Sequence, residues 1–139
     1  MTDAASQTAK LESELRKMLE EMSALIHARD LAIVDRFWSG GRFWLFGSEE
    51  HEHDLTRAEL HAHMAAMFEK PYRVRFLFDA MSVDHHQDMA WVNAPAILEI
   101  HHPDRVVRLP YRLFALFQRI GGAWQWRVFS GSEPAAPPT

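Results

Sequence analysis

The sequence predicts an α+β domain: a curved antiparallel sheet wrapped around N-terminal helices. Two observations carry that expectation. Up to Phe68 the apolar residues recur at steps of three and four, the spacing of a helix with one buried face. From about Tyr72 to Phe129 they recur at steps of two, the spacing of strands, and no helical stretch intervenes to make a βαβ unit. The predicted strands are longer than the usual five or six residues, and long strands twist and coil. A coiled sheet with helices over its concave side is a cone, and the mouth of a cone is a natural pocket.

Leu11, Leu15, Leu19, Met22 and Ile26 lie on one stripe of a first helix whose other face is covered by Glu12, Glu14, Arg16 and Lys17. Asp30 is placed to cap a second, shorter helix carrying Ile33, Val34 and Phe37, which Ser39-Gly40-Gly41 then stops. Arg42 to Gly47 reads as a short aromatic strand, followed by an acidic loop from Ser48 to Asp54. Thr56 and Glu59 stand at capping-box spacing, so a third helix starts there and ends before Pro71. Four strands follow: about Tyr72 to Val83, Met89 to Ile100, Val106 to Ile120 and Ala123 to Phe129. Gly121-Gly122 between the last two is a hairpin signal, and Pro95 and Pro110 each mark a bulge or an edge. Residues 1–7 read as a disordered start, 8–132 as the folded domain and 133–139 as a flexible proline-rich tail.

Composition narrows the function classes. The 139 residues hold 47% hydrophobic and 24% charged side chains, enough for one domain with a substantial core. There is no cysteine, which excludes disulfides, thiolate catalysis and cysteine-bound zinc. A net charge of −4 disfavours nucleic acid as a partner. No apolar run is long enough for a membrane span, and MTDAASQTAK lacks the pattern of a signal peptide, so a cytoplasmic setting is expected. Nine histidines and a pI near 6.1 place the change in surface charge within the titration range of imidazole.

Both faces of the Val106–Ile120 strand are apolar. Arg112, Phe114 and Leu116 share one face; Leu113, Ala115 and Phe117 share the other. One face is expected to lie under the helices and the other against a second copy of the chain. Putting Arg112 and Phe114 inside the cone makes Arg112 an anchor for an anionic group, since a buried guanidinium needs a carboxylate or a ligand anion. Trp44, Phe46, Trp91 and Trp126 are expected to form an aromatic wall, with Tyr111 and Ser130 as further ligand-binding positions. For acid–base work, Glu49 and His51 are the leading candidates, on the loop after the first strand where the cone mouth falls. His51 and His53 are the best of the possible metal ligands, but no i, i+4 histidine pair exists, and no metal or cofactor is expected.

Three stretches give the chain a family likeness. They are Phe46-Gly47-Ser48-Glu49 ahead of the capped helix, Met89-Ala90-Trp91-Val92, and a closing run. That run is Pro110-Tyr111-Arg112-Leu113, Gly121-Gly122-Ala123-Trp124 and Val128-Phe129-Ser130-Gly131-Ser132. In order and spacing, residues 10–133 resemble the nuclear-transport-factor-two-like superfamily, the cystatin-like cone, and within it the SnoaL-like group. The resemblance implies a cone, usually dimeric through its sheet, with an apolar pocket between sheet and helices. Relatives include ketosteroid isomerase, polyketide cyclases, dehydratases, hydrolases and non-catalytic binding or association domains. The isomerase's aspartate base corresponds to about Phe46 to Gly47 here, where no carboxylate stands. A histidine that many relatives carry near the end of the last strand is replaced by Ser130. The expectation is therefore a homodimeric protein binding a small apolar or aromatic ligand that can carry an anionic group. The alternatives are an isomerase, lyase, cyclase or hydrolase using Glu49 or His51 as base, and an association domain.

Overall fold

The computed structural model describes residues 3–37, 41–47 and 54–137. Helix α1 spans Ala4–Ala28, a 3-10 helix spans Leu31–Arg36, and α2 spans Arg57–Phe68. The strands are β1 Phe43–Phe46, β2 Asp54–Leu55, β3 Arg73–Phe78, β4 Ser82–His86, β5 Met89–His101, β6 Val106–Ile120 and β7 Ala123–Ser132. They form one curved sheet in the order β2-β1-β7-β6-β5-β3, with β4 also paired to β5. N-terminal helices followed by this open sheet give the expected class. The sheet is mixed rather than wholly antiparallel, because β1 runs parallel to β7.

The first helix begins earlier than its apolar stripe. Asp3 accepts a hydrogen bond from the Ser6 amide and caps the helix, so residues 4–7, expected to fray, are helical. At the other end Arg29 adopts φ 56°, a left-handed cap whose amide donates to the last carbonyls. Asp30 caps as expected, but the segment it starts is a 3-10 helix. Thr56 and Glu59 form the capping box at the head of α2.

The expected strand from Tyr72 to Val83 is two strands. β3 pairs with the second half of β5 and β4 with its first half, on the same edge. Pro95 falls in the gap between them, where its missing N–H has no ladder to break. Pro110 lies beyond Arg112, where β7 no longer flanks β6. The bulge is elsewhere, where Leu116 pairs with Val128 but Phe117 pairs with Trp126. Arg127 is the extra residue, and it reverses the face alternation of β7: Trp126 and Phe129 both point inward and Val128 outward. The Gly121-Gly122 turn has φ of 58° and 82°, the geometry that closes a tight hairpin.

Along its length α1 buries Leu11, Leu15, Leu19, Met22 and Ile26 against the concave face of the sheet, where Phe43, Leu113, Phe117 and Trp126 complete the core. It also shields the edge strand β3. Buried Ser23 accepts from the Phe76 amide at 2.8 Å and donates to the Phe76 carbonyl at 3.0 Å, satisfying two backbone groups that an edge strand leaves open. Ser23→Ala should therefore cost about 1–3 kcal/mol, the penalty for stranding buried polar groups, and urea unfolding would measure it.

Candidate functional site

Between the concave face of the sheet and the two helices lies a hollow of about 440 Å³. Its depth is apolar: Met22 and Ile26 come from α1, Met64 and Met67 from α2, Phe76 and Leu98 from the floor of the sheet. The alternation of β3 and β5 points these last two inward, and the helical stripes bring the methionines over them. Such a volume, walled mainly by flexible methionines and aromatic rings, accommodates a small organic molecule.

Polar groups enter at few places. Tyr111 is buried at 7% exposure and its ring lies 5.4 Å from that of Phe76. Its hydroxyl fits against the backbone of Gly131, where a Cβ would stand only 2.0 Å from the Tyr111 oxygen. The absence of a side chain on the neighbouring strand thus leaves the room that the phenol occupies in the wall. His63, Lys70, Tyr72 and Glu133 also line the hollow and supply its charged and titratable side. The segment carrying Lys70 and Tyr72 is fastened by Arg29, whose Nη2 donates to both carbonyls at 2.7 and 3.0 Å. That guanidinium ties the end of α1 to the rim.

Of the expected ligand-binding residues, Tyr111 lines the hollow. Arg112 does not: it is on the outer, convex face, exposed, with its Nε donating to Ser132 Oγ at 3.0 Å. Strand alternation explains the correction, since Leu113, Ala115 and Phe117 take the inner positions and so place Arg112, Phe114 and Leu116 outside. For the same reason Trp44 and Phe46, each 42% exposed, lie on the outer face of β1, and Trp91 and Ser130 lie outside with them. Trp126 points inward but is packed solid, 4.6 Å from Phe117 and 5.6 Å from Phe37 between ring centres, and does not line the hollow. The aromatic wall is replaced by Phe37, Phe76, Tyr111 and Phe129. Glu49, His51 and His53 lie outside the described residues. Gly47, two positions before Glu49, lines the hollow. Among the described residues no group of three or more histidines and carboxylates is placed to hold a metal ion.

The residues missed at the sequence level were His63, Met64 and Met67 of α2, and Lys70 and Tyr72 just beyond it. The stripe of α2 contained the methionines, but nothing local distinguishes a stripe facing a void from one facing a filled core.

A second polar cluster occupies the outer face of β5. Glu99, 5% exposed, accepts from Arg108 Nε at 2.7 Å and lies 3.1 Å from His101 Nε2. These hydrogen bonds hold its carboxyl below the ordinary 4.5. The His27 ring meets that of His101 at 5.0 Å. Burial first, then the nearby His101, Arg73 and Arg75, keep His27 below the ordinary 6.5. The folded state thus binds fewer protons than the unfolded chain just below 6.5, and stability contributed by neutral His27 is lost as the pH falls through that region. The contribution of ionised Glu99 is lost at lower pH, below about 4.5. Urea midpoints should fall between pH 7.5 and 5.5, and His27→Gln should flatten that step while leaving the more acidic loss in place.

A family model described as a SnoaL-like domain matches residues 15–136. No curated protein matches the chain. Among solved structures, the chain is similar to ActVI-ORFA from Streptomyces coelicolor at 16% identity and a TM-score of 0.73, covering 89% of this chain and 97% of that one. A Catenulispora acidiphila protein in complex with S-DNPA is similar at 12% identity and a TM-score of 0.76, covering 90% and 94%. An NTF2-like protein with a cystatin-like fold from Novosphingobium aromaticivorans is similar at 14% identity and a TM-score of 0.70, covering 96% and 91%.

Proposed function

The chain belongs to the family of SnoaL-like domains, and from that premise we propose that it binds a small, largely apolar molecule in the hollow between sheet and helices and pairs with a second copy through the outer face of its sheet. The observation that carries the first part is the hollow itself, about 440 Å³ with an apolar depth and a buried phenol in its wall. Tyr111 is the group suited to orient a ligand, because its buried ring is seated against the backbone of Gly131. An anionic substituent on the ligand would be met by Lys70 or His63 at the hollow's polar side, in place of the expected Arg112. The solved complex of a similar fold with S-DNPA is consistent with small-molecule binding.

Fluorescence titration with the neutral dye N-phenyl-1-naphthylamine tests this reading. One dye per chain is expected, and Met64→Trp, which fills the hollow from α2, should weaken binding at least about tenfold, the equivalent of about 1.4 kcal/mol. Absence of dye binding, or equal binding by the filled variant, would overturn it.

The second reading is enzymatic, with Glu49 or His51 as general base. It is favoured by Gly47, which lines the hollow immediately before that segment. Once a converted ligand is found, Glu49→Gln and His51→Gln would lower turnover while leaving ligand affinity in place; loss of affinity alone would assign the segment to binding.

The second part rests on the outer face. Trp44, Phe46, Phe114, Ile97 and Leu77 are each between 37% and 42% exposed there, more apolar surface than an unpartnered sheet commonly presents. Light scattering should give about twice 16.1 kDa.

A further inference from the structure

Among the described residues, two buried side-chain nitrogens have no hydrogen-bond partner, His27 Nδ1 and Arg29 Nε, and both stand at the end of α1. Buried polar groups in a folded protein are nearly always paired, so two orphans at one helix end mark a joint held at less than full satisfaction. Cations surround His27. Its carbonyl accepts from Arg73 Nη1 at 3.0 Å, and its ring meets that of His101 edge to face at 5.0 Å. The charges of Arg73 and Arg75 on β3 also act on the ring, and only the Val74 backbone favours a proton there. Glu99, the carboxylate of this cluster, has both oxygens taken, Oε2 by Arg108 and Oε1 by His101. Asp30, three residues beyond His27, has its Oδ1 on the Ala32 amide at 2.9 Å. His102 faces Tyr72, with ring centres 5.6 Å apart.

The joint lies directly behind the wall of the hollow. α1, β3 and β5 each supply both the cluster and the lining: Ile26 stands before His27, Val74 between Arg73 and Arg75, and Ile100 between Glu99 and His101. The cluster residues themselves stay out of the hollow. Arg29 then couples the helix end to the rim, because its Nη2 holds the carbonyls of Lys70 and Tyr72, two residues that line the hollow. A displacement of the last turn of α1 therefore moves Ile26 and the rim together.

We propose that this joint gates the hollow by pH, holding the bound molecule at neutral pH and releasing it on acidification. A proton taken up by His27 meets His101, Arg73 and Arg75 and, among the described residues around it, no uncommitted carboxylate. The last turn of α1 then parts from β3 and β5, and the rim opens. The closed joint binds that proton less well than the open one, so lowering the pH shifts the population toward the open form. A ligand that prefers the closed form loses affinity with it. The gate rests on the small-molecule reading of the hollow and adds its regulation.

The neutral dye N-phenyl-1-naphthylamine reads the gate, since its own charge is constant over the range. Its affinity for the wild type should fall at least about threefold between about pH 7.5 and about pH 5.5, and His27→Gln should bind it equally at both. His101→Gln removes the facing imidazole from β5 and should shrink the step. Hydrogen exchange gives a readout that needs no dye. In the wild type, protection of the amides from Leu25 to Arg29 should fall at the lower pH relative to those from Leu11 to Leu19; in His27→Gln it should not. Equal wild-type affinity at both pH values would overturn the gate and leave the binding site standing. A fall in affinity without that fall in protection would overturn it too. So would a step that survives in His27→Gln and disappears in His63→Gln, which would assign it to the histidine lining the hollow. Absence of dye binding at both pH values would overturn the site and the gate with it.

Discussion

Trp126→Ala should lower the unfolding free energy by about 3–5 kcal/mol, the range for deleting a large buried aromatic side chain. The indole is 1% exposed and is surrounded by rings, with Phe117 at 4.6 Å, Phe37 at 5.6 Å and Phe129 at 6.2 Å between centres. Those neighbours come from β6, from the end of the 3-10 helix and from β7 itself. The vacated volume cannot close without moving three elements at once, and a poorly collapsing site lies at the costly end of such series. Because a domain of this size is held by about 5–15 kcal/mol, the variant would be close to unfolding at 37 °C. Trp126→Phe keeps part of the ring contacts and should cost less. Urea denaturation followed by circular dichroism measures both, and a loss below about 1 kcal/mol for the alanine variant would show that the rings repack freely. The position was first expected to face a ligand, so the experiment also separates packing from binding: Trp126→Phe should bind the neutral dye as the wild type does.

Why Trp126 belongs to the core and Arg112 to the exterior is instructive about what a chain of residues discloses. The helical stripe of α1, the capping box of α2 and the glycine pair between β6 and β7 are local signals, each decided within a few residues, and all were legible. The face of β6 was not. Alternation fixes that Arg112, Phe114 and Leu116 share a side, but with both sides apolar only the tertiary arrangement decides which side is concave. Trp44, Phe46 and Trp91 share the face of Arg112 through the strand registers, so they lie outside with it. The single-residue bulge at Arg127 was invisible for a related reason: no residue type demands it, yet it reverses the facing of everything after Trp126. The hollow is harder still to read, since it exists where the side chains of Met64, Met67 and Leu98 stop short.

That glycine supplies the test that couples fold to function most directly. In Gly131→Ala the new Cβ would lie 2.0 Å from the Tyr111 oxygen and 2.6 and 2.7 Å from two carbons of its ring. Contacts that short must be relieved by moving the ring, because the Cβ is fixed to a strand paired on both sides, with β6 through Leu113 and with β1 through the preceding Ser130. Tyr111 is enclosed and has Phe76 beside it, so the open direction is into the hollow. Overpacking of this kind costs about 1–3 kcal/mol. The displaced phenol also takes up the space a ligand would use, and dye affinity should fall at least about tenfold, corresponding to about 1.4 kcal/mol. Tyr111→Leu in the same chain removes the atoms that collide. Gly131→Ala/Tyr111→Leu should therefore regain stability relative to Gly131→Ala alone and reopen the hollow to the neutral dye. Wild-type binding by Gly131→Ala would mean that the ring yields in another direction and that Tyr111 does not bound the site. Recovery of stability in the double variant without recovery of binding would instead assign the phenol to holding the ligand as well as walling it in.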